Sequence, residues 1–154
     1  MSDQLFPIRV IQPVQWGDMD AYQHVNNTVY LRWFETGRAA YFSLANLWQP
    51  GAPTGLGPIF ASVNCRYKAP VTYPDIVEIG VRVKEVREDR YIMEHVILSQ
   101  KIQRVVAEGD GVVVCYDYAR AQKAAIPEDW RTAISKLESG ARHRLGAAAN
   151  EELT

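Results

Sequence analysis

Cysteine and long apolar runs are scarce in this chain of 154 residues, and neither sign of charge dominates. Its two cysteines, Cys65 and Cys115, lie far apart with no neighbour at the spacing of metal ligands. This argues against a disulfide framework or a zinc site and favours a reducing cytoplasm. The longest apolar run, residues 112–116, is far shorter than the roughly 20 residues that span a membrane. We expect no secretory signal, because the opening residues lack a basic segment followed by an apolar one, and the net charge of −1 predicts no nucleic-acid partner.

What is present suits one globular domain, because 47% of the residues are hydrophobic and 23% are charged. We assign that domain to residues 1–140. A short helix is predicted over residues 127–138, opened by Pro127 and closed before Gly140. The remaining residues, 141–154, are expected to form a flexible tail.

Apolar periodicity changes near residue 27. Residues 6–16 alternate, from Phe6 to Trp16, which predicts a strand with one buried face, and its two prolines predict that it either lies at a sheet edge or is bent. A helical stripe follows, with Asn26 or Asn27 as its N-cap. The stripe consists of Tyr30, Trp33, Phe34, Gly37, Tyr41 and Leu44. Arg32, Glu35 and Arg38 are predicted to lie away from it, and Gly37 predicts close approach to the packing partner.

A loop is predicted over residues 49–58, and the pattern after it predicts mainly strands. Strands are predicted over residues 59–68, 77–84, 90–102 and 104–118, with a hairpin turn at residues 87–90 and a bulge or bend at Gly109 and Gly111. One helix among antiparallel strands predicts an α+β fold whose sheet wraps the helix. The open face of such a sheet predicts a homo-oligomer.

Two carboxylates, Asp18 and Asp20, directly precede the predicted helix. Either both residues only form a turn, or one of them is a general base or nucleophile placed at the N-terminus of the helix. Unpaired amide hydrogens there can stabilise an oxyanion, which suits thioester hydrolysis without a metal. His24 either pairs with Asp20 in acid–base chemistry or holds the loop through hydrogen bonds to the backbone.

Other polar side chains have weaker claims. Glu35 is a rival carboxylate, although its position predicts an ion pair with Arg32 or Arg38 on the helix face. Cys65 reads as a buried structural thiol. Four basic residues either form a solvated surface or bind the phosphates of a nucleotide-bearing thiol. The sequence has no glycine-rich phosphate loop, so scattered side chains would have to bind such phosphates. The four basic residues are Arg66, Lys68, Arg87 and Arg90.

Residues 16–35 carry a Gly-Asp-x-Asp pair followed by His-Val-Asn-Asn and an aromatic-rich helix. This run resembles the hotdog-fold acyl-CoA thioesterases of the 4-hydroxybenzoyl-CoA thioesterase-like family. The resemblance implies a small-molecule acyl thioester substrate, Asp20 as the catalytic carboxylate and Asp18 as a structural residue. It also implies that the Asn27 amide polarises the carbonyl and that Arg87 and Arg90 are the nearest matches to residues that bind coenzyme A phosphates. No metal or separate cofactor is expected, because coenzyme A is part of the substrate.

The sequence departs from that family at two places. Gln23 stands where glycine is usual, so either the loop differs or this side chain narrows the pocket. Glu88 and Asp89 put negative charge in the hairpin, which leaves open whether the carrier is coenzyme A or another acyl carrier. A hotdog enoyl-thioester hydratase or dehydratase and a non-catalytic acyl-CoA-binding module remain alternatives. The acyl group, and the choice between dimer and tetramer, stay open.

Overall fold

One long helix enclosed by a curled antiparallel sheet forms the centre of the computed structural model, which describes residues 4–48 and 55–146. The helices are α1 (Asn27–Ala45) and α2 (Glu128–Ser139). The strands are β1 (Leu5–Phe6), β2 (Ile8–Pro13), β3 (Leu56–Val63), β4 (Arg66–Tyr67), β5 (Ile76–Val86), β6 (Arg90–Ser99), β7 (Arg104–Asp117), β8 (Gln122–Lys123) and β9 (His143–Arg144). The main sheet has the order β2-β5-β6-β7-β3, with β4 and β8 also paired to β7. The α+β prediction is therefore confirmed, and β2 lies at the predicted edge.

Helix α1 begins where the sequence predicts. Asn26 is the N-cap, and its side-chain oxygen accepts a hydrogen bond from the Thr28 N–H. The first five residues of the predicted stripe are buried against the sheet, whereas Leu44 is 61% exposed. Gly37 permits the closest approach, because a Cβ there would lie 2.4 Å from Val81 Cγ2. The expectation for Gly37 is confirmed, and the burial predicted for Leu44 is wrong.

Two long hairpins build most of the sheet. The turn between β5 and β6 falls at the predicted residues, and alternate residues of β5 are buried beneath α1. The strand predicted over residues 59–68 is split into β3 and β4, because the chain between them crosses Gly109. A Cβ on Gly109 would lie 1.9 Å from the Asn64 carbonyl oxygen. In the pairs that β7 forms with β3 and β6, the register shifts fall between Phe60 and Ser62 and between Ile97 and Leu98 rather than at the two glycines.

The two ends of the described chain meet. Strand β9 pairs with β1, and Leu145 is buried beside Phe6 and Val96. Residues 141–146, assigned from sequence to a flexible tail, are therefore packed onto the domain, and residues 147–154 lie outside the described residues. Residues 49–54 of the predicted loop also lie outside them, whereas 56–58 belong to β3. The described helices include none with the length and apolarity needed to cross a membrane.

Trp16 is the clearest error in the strand prediction. It is 72% exposed, because the chain leaves β2 and forms a short 3-10 turn over Trp16–Asp18. Alternate residues stay on the buried face as far as Val14. The backbone is no longer extended at Trp16, so the side chain of Trp16 does not stay on that face.

Candidate active site

A closed loop joins the 3-10 turn to α1. Met19 and Val25 form an antiparallel bridge, and the Asp20 N–H donates to the His24 carbonyl oxygen at 3.0 Å. Inside this bridge the Gln23 N–H donates to the Asp20 carbonyl oxygen at 2.9 Å, and Gln23 has a φ of 60°. This left-handed conformation favours glycine, which explains why the related family usually has glycine at this position.

The loop holds the Asp20 carboxylate against the first turn of α1. Asp20 Oδ1 accepts from the Tyr22 N–H at 2.9 Å, and Oδ2 accepts from Asn26 Nδ2 at 3.3 Å. Asn26 is at the same time the N-cap, so one side chain bonds both the helix and the carboxylate. Asp20 is exposed in the single chain and is therefore open to a ligand at the surface.

Asn27 is the first residue of α1, and its backbone N–H has no hydrogen-bond partner among residues 4–48 and 55–146. The N–H groups of the first helical turn carry the positive end of the helix dipole. The Asn27 carbonyl oxygen, in contrast, accepts from Tyr67 Oη at 3.0 Å. The free N–H and the Asp20 carboxylate thus lie at one helix end.

Asp18 stabilises this loop through both its side chain and its backbone, whereas His24 does so through its backbone. Asp18 Oδ2 accepts from the Gln15 N–H at 2.8 Å, and the Asp18 carbonyl oxygen accepts from the Asn26 N–H at 2.9 Å. The carboxylate of Asp18 is thus occupied by the backbone, in keeping with the structural role that the resemblance implies. The His24 ring is exposed, and it is the His24 backbone that ties the loop.

The four predicted basic residues fall into two separate places. Arg66 and Lys68 both pair with Glu108, at 3.0 Å and 2.9 Å, beside Tyr67, whose hydroxyl bonds Asn27. They therefore lie at the same end of α1 as Asp20.

Arg87 and Arg90 belong to the hairpin that follows the last residue of β5, and they pair with Glu85 and Asp89 respectively. Eleven strand residues separate the two ends of β5, which is roughly 35 Å. The fold of one chain does not bring these two arginines to Asp20.

A buried cation on α1 was missed by the sequence reasoning, which placed Arg38 on the polar face. Arg38 is only 6% exposed, and its Nη1 lies 3.2 Å from Nε2 of His95, which is fully buried. His95 Nδ1 lies 3.1 Å from the Gly109 carbonyl oxygen, which can only accept. Nδ1 therefore carries the proton, and Nε2 accepts from Arg38. Burial and the neighbouring Arg38 lower the pKa of His95 to about 4.

Aromatic rings complete the surroundings of Arg38. Phe34 stacks on His95 with ring centroids 4.6 Å apart, and Arg38 Cζ lies 3.9 Å from the centroid of the Phe60 ring. The direct ion pair predicted between Glu35 and Arg32 or Arg38 is not formed in the described part of the chain, although the charge of Glu35 still acts on Arg38 and raises its pKa. Arg38 lies four residues after Phe34 and three before Tyr41, so the helical spacing places it beside the buried stripe. The spacing does not show that its partner is a histidine far along the chain.

Two adjoining cavities run between α1 and β3. One, of about 350 Å³, begins at Thr28 in the first turn of α1 and ends at Arg38. The other, of about 320 Å³, continues to Phe42 and Trp48. Both are lined by Glu35, Arg38 and Phe60, so they form one groove. We call this the α1–β3 groove; it starts one residue from the Asn27 N–H.

A long helix enclosed by a curled antiparallel sheet is the hotdog fold of thioester hydrolases, and here the helix begins beside an exposed carboxylate. Residues 14–134 match the family described as the thioesterase-like superfamily. The chain belongs to this superfamily. The fold and the enzyme class predicted from the sequence, a hotdog thioester hydrolase, are thereby confirmed.

Individual relatives agree with this assignment. The long-chain acyl-CoA thioesterase FadM of Escherichia coli (strain K12) is 24% identical over 119 residues, which cover 77% of this chain and 90% of that protein. A thioesterase of Thermus thermophilus, solved with coenzyme A and Zn, is 30% identical with a TM-score of 0.76, covering 87% of this chain and 96% of that one. A thioesterase-superfamily protein of Jannaschia sp. CCS1 is 27% identical with a TM-score of 0.75, covering 85% and 82%.

Proposed function

We propose that this protein hydrolyses acyl-CoA thioesters, with Asp20 as the catalytic carboxylate. The observation that carries the proposal is the pairing of an exposed Asp20 carboxylate, held by Asn26, with the unpartnered N–H of Asn27 at the start of the same helix. The substrate class is supported by FadM, an acyl-CoA thioesterase, and by the Thermus thermophilus thioesterase solved with coenzyme A.

The chemistry needs one base and one oxyanion donor. Asp20 either attacks the thioester carbonyl, giving an acyl anhydride that water opens, or removes a proton from the water that attacks. The developing oxyanion accepts from the Asn27 N–H and is stabilised by the helix dipole. The C–S bond breaks, the thiolate takes up the proton, and the atoms of water end in the acid and the thiol. A thiol with a pKa near ~8.5 is a good leaving group, so no triad is needed.

The loop residues have supporting roles in this proposal. His24 positions the loop through its backbone, and its exposed ring is the group that we assign to binding the attacking water. Gln23 turns the loop, and we assign its exposed side chain to the border of the thioester site. Arg66 and Lys68 are the basic side chains at this end of α1, and a phosphate would compete with Glu108 for them.

A second copy of the chain completes the proposed site. Strand β3 ends the sheet, and its Ile59, Phe60 and Val63 side chains are all more than a third exposed. An apolar sheet edge of this kind is covered by pairing in stable proteins. Arg87 and Arg90 can reach a thioester at Asp20 only from such a second copy. The two unpaired cysteines accord with the reducing cytoplasm that we propose as its compartment.

The test is a panel of acyl-CoA thioesters with a thiol-detecting dye, applied to the wild type and Asp20→Asn. Asp20→Asn keeps the shape of the side chain but loses the base, so kcat should fall by about a hundredfold or more. Asp129→Asn makes the same change on an exposed part of α2 and serves as the matched control. Thiol release by Asp20→Asn at the wild-type rate would show that the carboxylate is elsewhere. Binding of acyl-CoA without thiol release by the wild type would point to a binding module.

A further inference from the structure

Arg38 is a buried cation with no carboxylate in direct contact, although the charge of the nearby Glu35 raises its pKa and so opposes part of the effect of burial. Within the described residues it has no acidic oxygen within 4.0 Å, and its contacts are His95 Nε2 and the Phe60 ring. Of the five N–H donors of a guanidinium, the described residues therefore engage one through a hydrogen bond. Burial lowers the pKa of Arg38 to about 10, which leaves the side chain charged at neutral pH.

The remaining donors need an acceptor, which water in the groove supplies until a ligand displaces it, because no Arg38 nitrogen is among the fully buried, unpartnered atoms of the described residues. A buried charge costs several kcal/mol unless it is paired and hydrogen-bonded, and stacking on a ring offsets only part of that cost. Since His95 carries its proton on Nδ1, its Nε2 fixes one edge of the guanidinium. The other donors are left for the α1–β3 groove, which Arg38 lines along both of its parts.

The groove connects Arg38 with the reacting carbonyl. From Thr28 to Arg38 the helix rises about 15 Å, and side chains on a helix lean toward its N-terminus, which shortens the span to the guanidinium. An extended acyl chain of about medium length, whose carbonyl lies at the Asn27 N–H, would bring its far end to Arg38. Beyond Arg38 the groove is lined by apolar side chains, among them Phe42, Pro58 and Val113.

We propose that Arg38 is a specificity-determining residue that selects acyl chains carrying an oxygen acceptor, a hydroxyl or a carboxylate, at the far end. This inference rests on the proposed thioesterase activity, since the acyl chain is what the groove would hold. Glu35 lines the same groove and is exposed, so it can accept from a hydroxyl but repels a carboxylate. The hydroxyl form is therefore preferred, and the carboxylate form improves when Glu35 is neutral.

The test compares three thioesters of one length: decanoyl-CoA, ω-hydroxydecanoyl-CoA and the mono-CoA thioester of decanedioic acid. A hydrogen bond to a charged group predicts a kcat/KM for the hydroxy substrate about tenfold or more above that for decanoyl-CoA in the wild type. Arg38→Met should remove this ratio, so that the hydroxy and plain substrates have equal kcat/KM. Arg38→Lys, which keeps the charge, should keep part of the ratio, and Glu35→Gln should raise the rate for the carboxylate substrate. Arg120→Met, at an exposed arginine, is the matched control.

The possible results separate a failure of the Arg38 proposal from a failure of the proposed thioesterase activity. Equal kcat/KM for the hydroxy and plain substrates in the wild type overturns the proposal without using any variant. A loss of all three activities in Arg38→Met together with a change of molar mass in light scattering also overturns it, because Arg38 would then serve a contact between copies. If no thioester is hydrolysed, the proposed function fails. In that case we measure by calorimetry how tightly Asp20→Asn binds the hydroxy thioester and the plain thioester. Equal affinities for the two would overturn the proposal for Arg38.

Discussion

Gly37 sets the distance between α1 and the sheet, and Gly37→Ala tests that packing. An added Cβ would lie 2.4 Å from Val81 Cγ2 and 2.8 Å from Ile79 Cγ2, whereas carbon atoms in contact prefer about 3.5–4.0 Å. Both neighbours are fully buried and β-branched, so neither can turn away. Overpacking of this kind costs about 1–3 kcal/mol, and the clash with two methyl groups favours the upper end.

Helix propensity acts in the opposite direction. Alanine is about 1 kcal/mol better than glycine within a helix, so the net expectation is a loss of about 2 kcal/mol. For a chain of this size that lowers the melting temperature by roughly 4–8 °C.

The assay is urea unfolding at one fixed protein concentration, because an oligomer's stability depends on concentration. Arg32→Ala compared with Arg32→Gly, on the exposed face of α1, measures the propensity alone. A Gly37→Ala protein that is more stable than the wild type would refute the reasoning, since it would mean that the helix does not press on β5.

Two further predictions concern the loop and the buried histidine. Gln23→Gly should stabilise the protein by about 1 kcal/mol, because Gln23 has a φ of 60°, while Gln12→Gly in β2 should destabilise it; an unchanged or lower urea midpoint for Gln23→Gly would contradict this. The folded-state pKa of His95, about 4, lies below its ordinary value of about 6.5, so neutral His95 contributes stability that is complete above pH ~6.5 and is lost as pH falls toward 4. Between pH 7 and pH 4 the wild type should therefore lose roughly 3 kcal/mol more than His95→Gln, and equal losses in the two proteins would disprove the linkage.

Local patterns in the sequence were enough to predict the main elements. The stripe from Tyr30 to Tyr41 is buried, the hairpin turn at residues 87–90 is present, and α2 occupies its predicted place. These features depend on periodicity and on end signals that lie within a few residues of each other. The loop around Asp20 was found through a motif, and the structure adds which atoms hold the carboxylate.

The errors share a physical cause, which is dependence on distant parts of the chain. A charged residue on a helix is usually exposed, whereas the burial of Arg38 depends on His95 and Phe60, which lie on two distant strands. The pairing of β9 with β1 joins residues nearly the whole chain apart. Trp16 follows the strand period, but a 3-10 turn rotates it outward. Sequence spacing does not identify the distant partners in these contacts.

The most direct measurement of the central claim is the single-turnover rate of thiol release from acyl-CoA by Asp20→Asn, with enzyme in excess and binding measured in parallel. We expect the affinity for acyl-CoA to stay near that of the wild type while the chemical step slows by about a hundredfold or more. Thiol release at an undiminished rate by a folded Asp20→Asn protein would contradict the account.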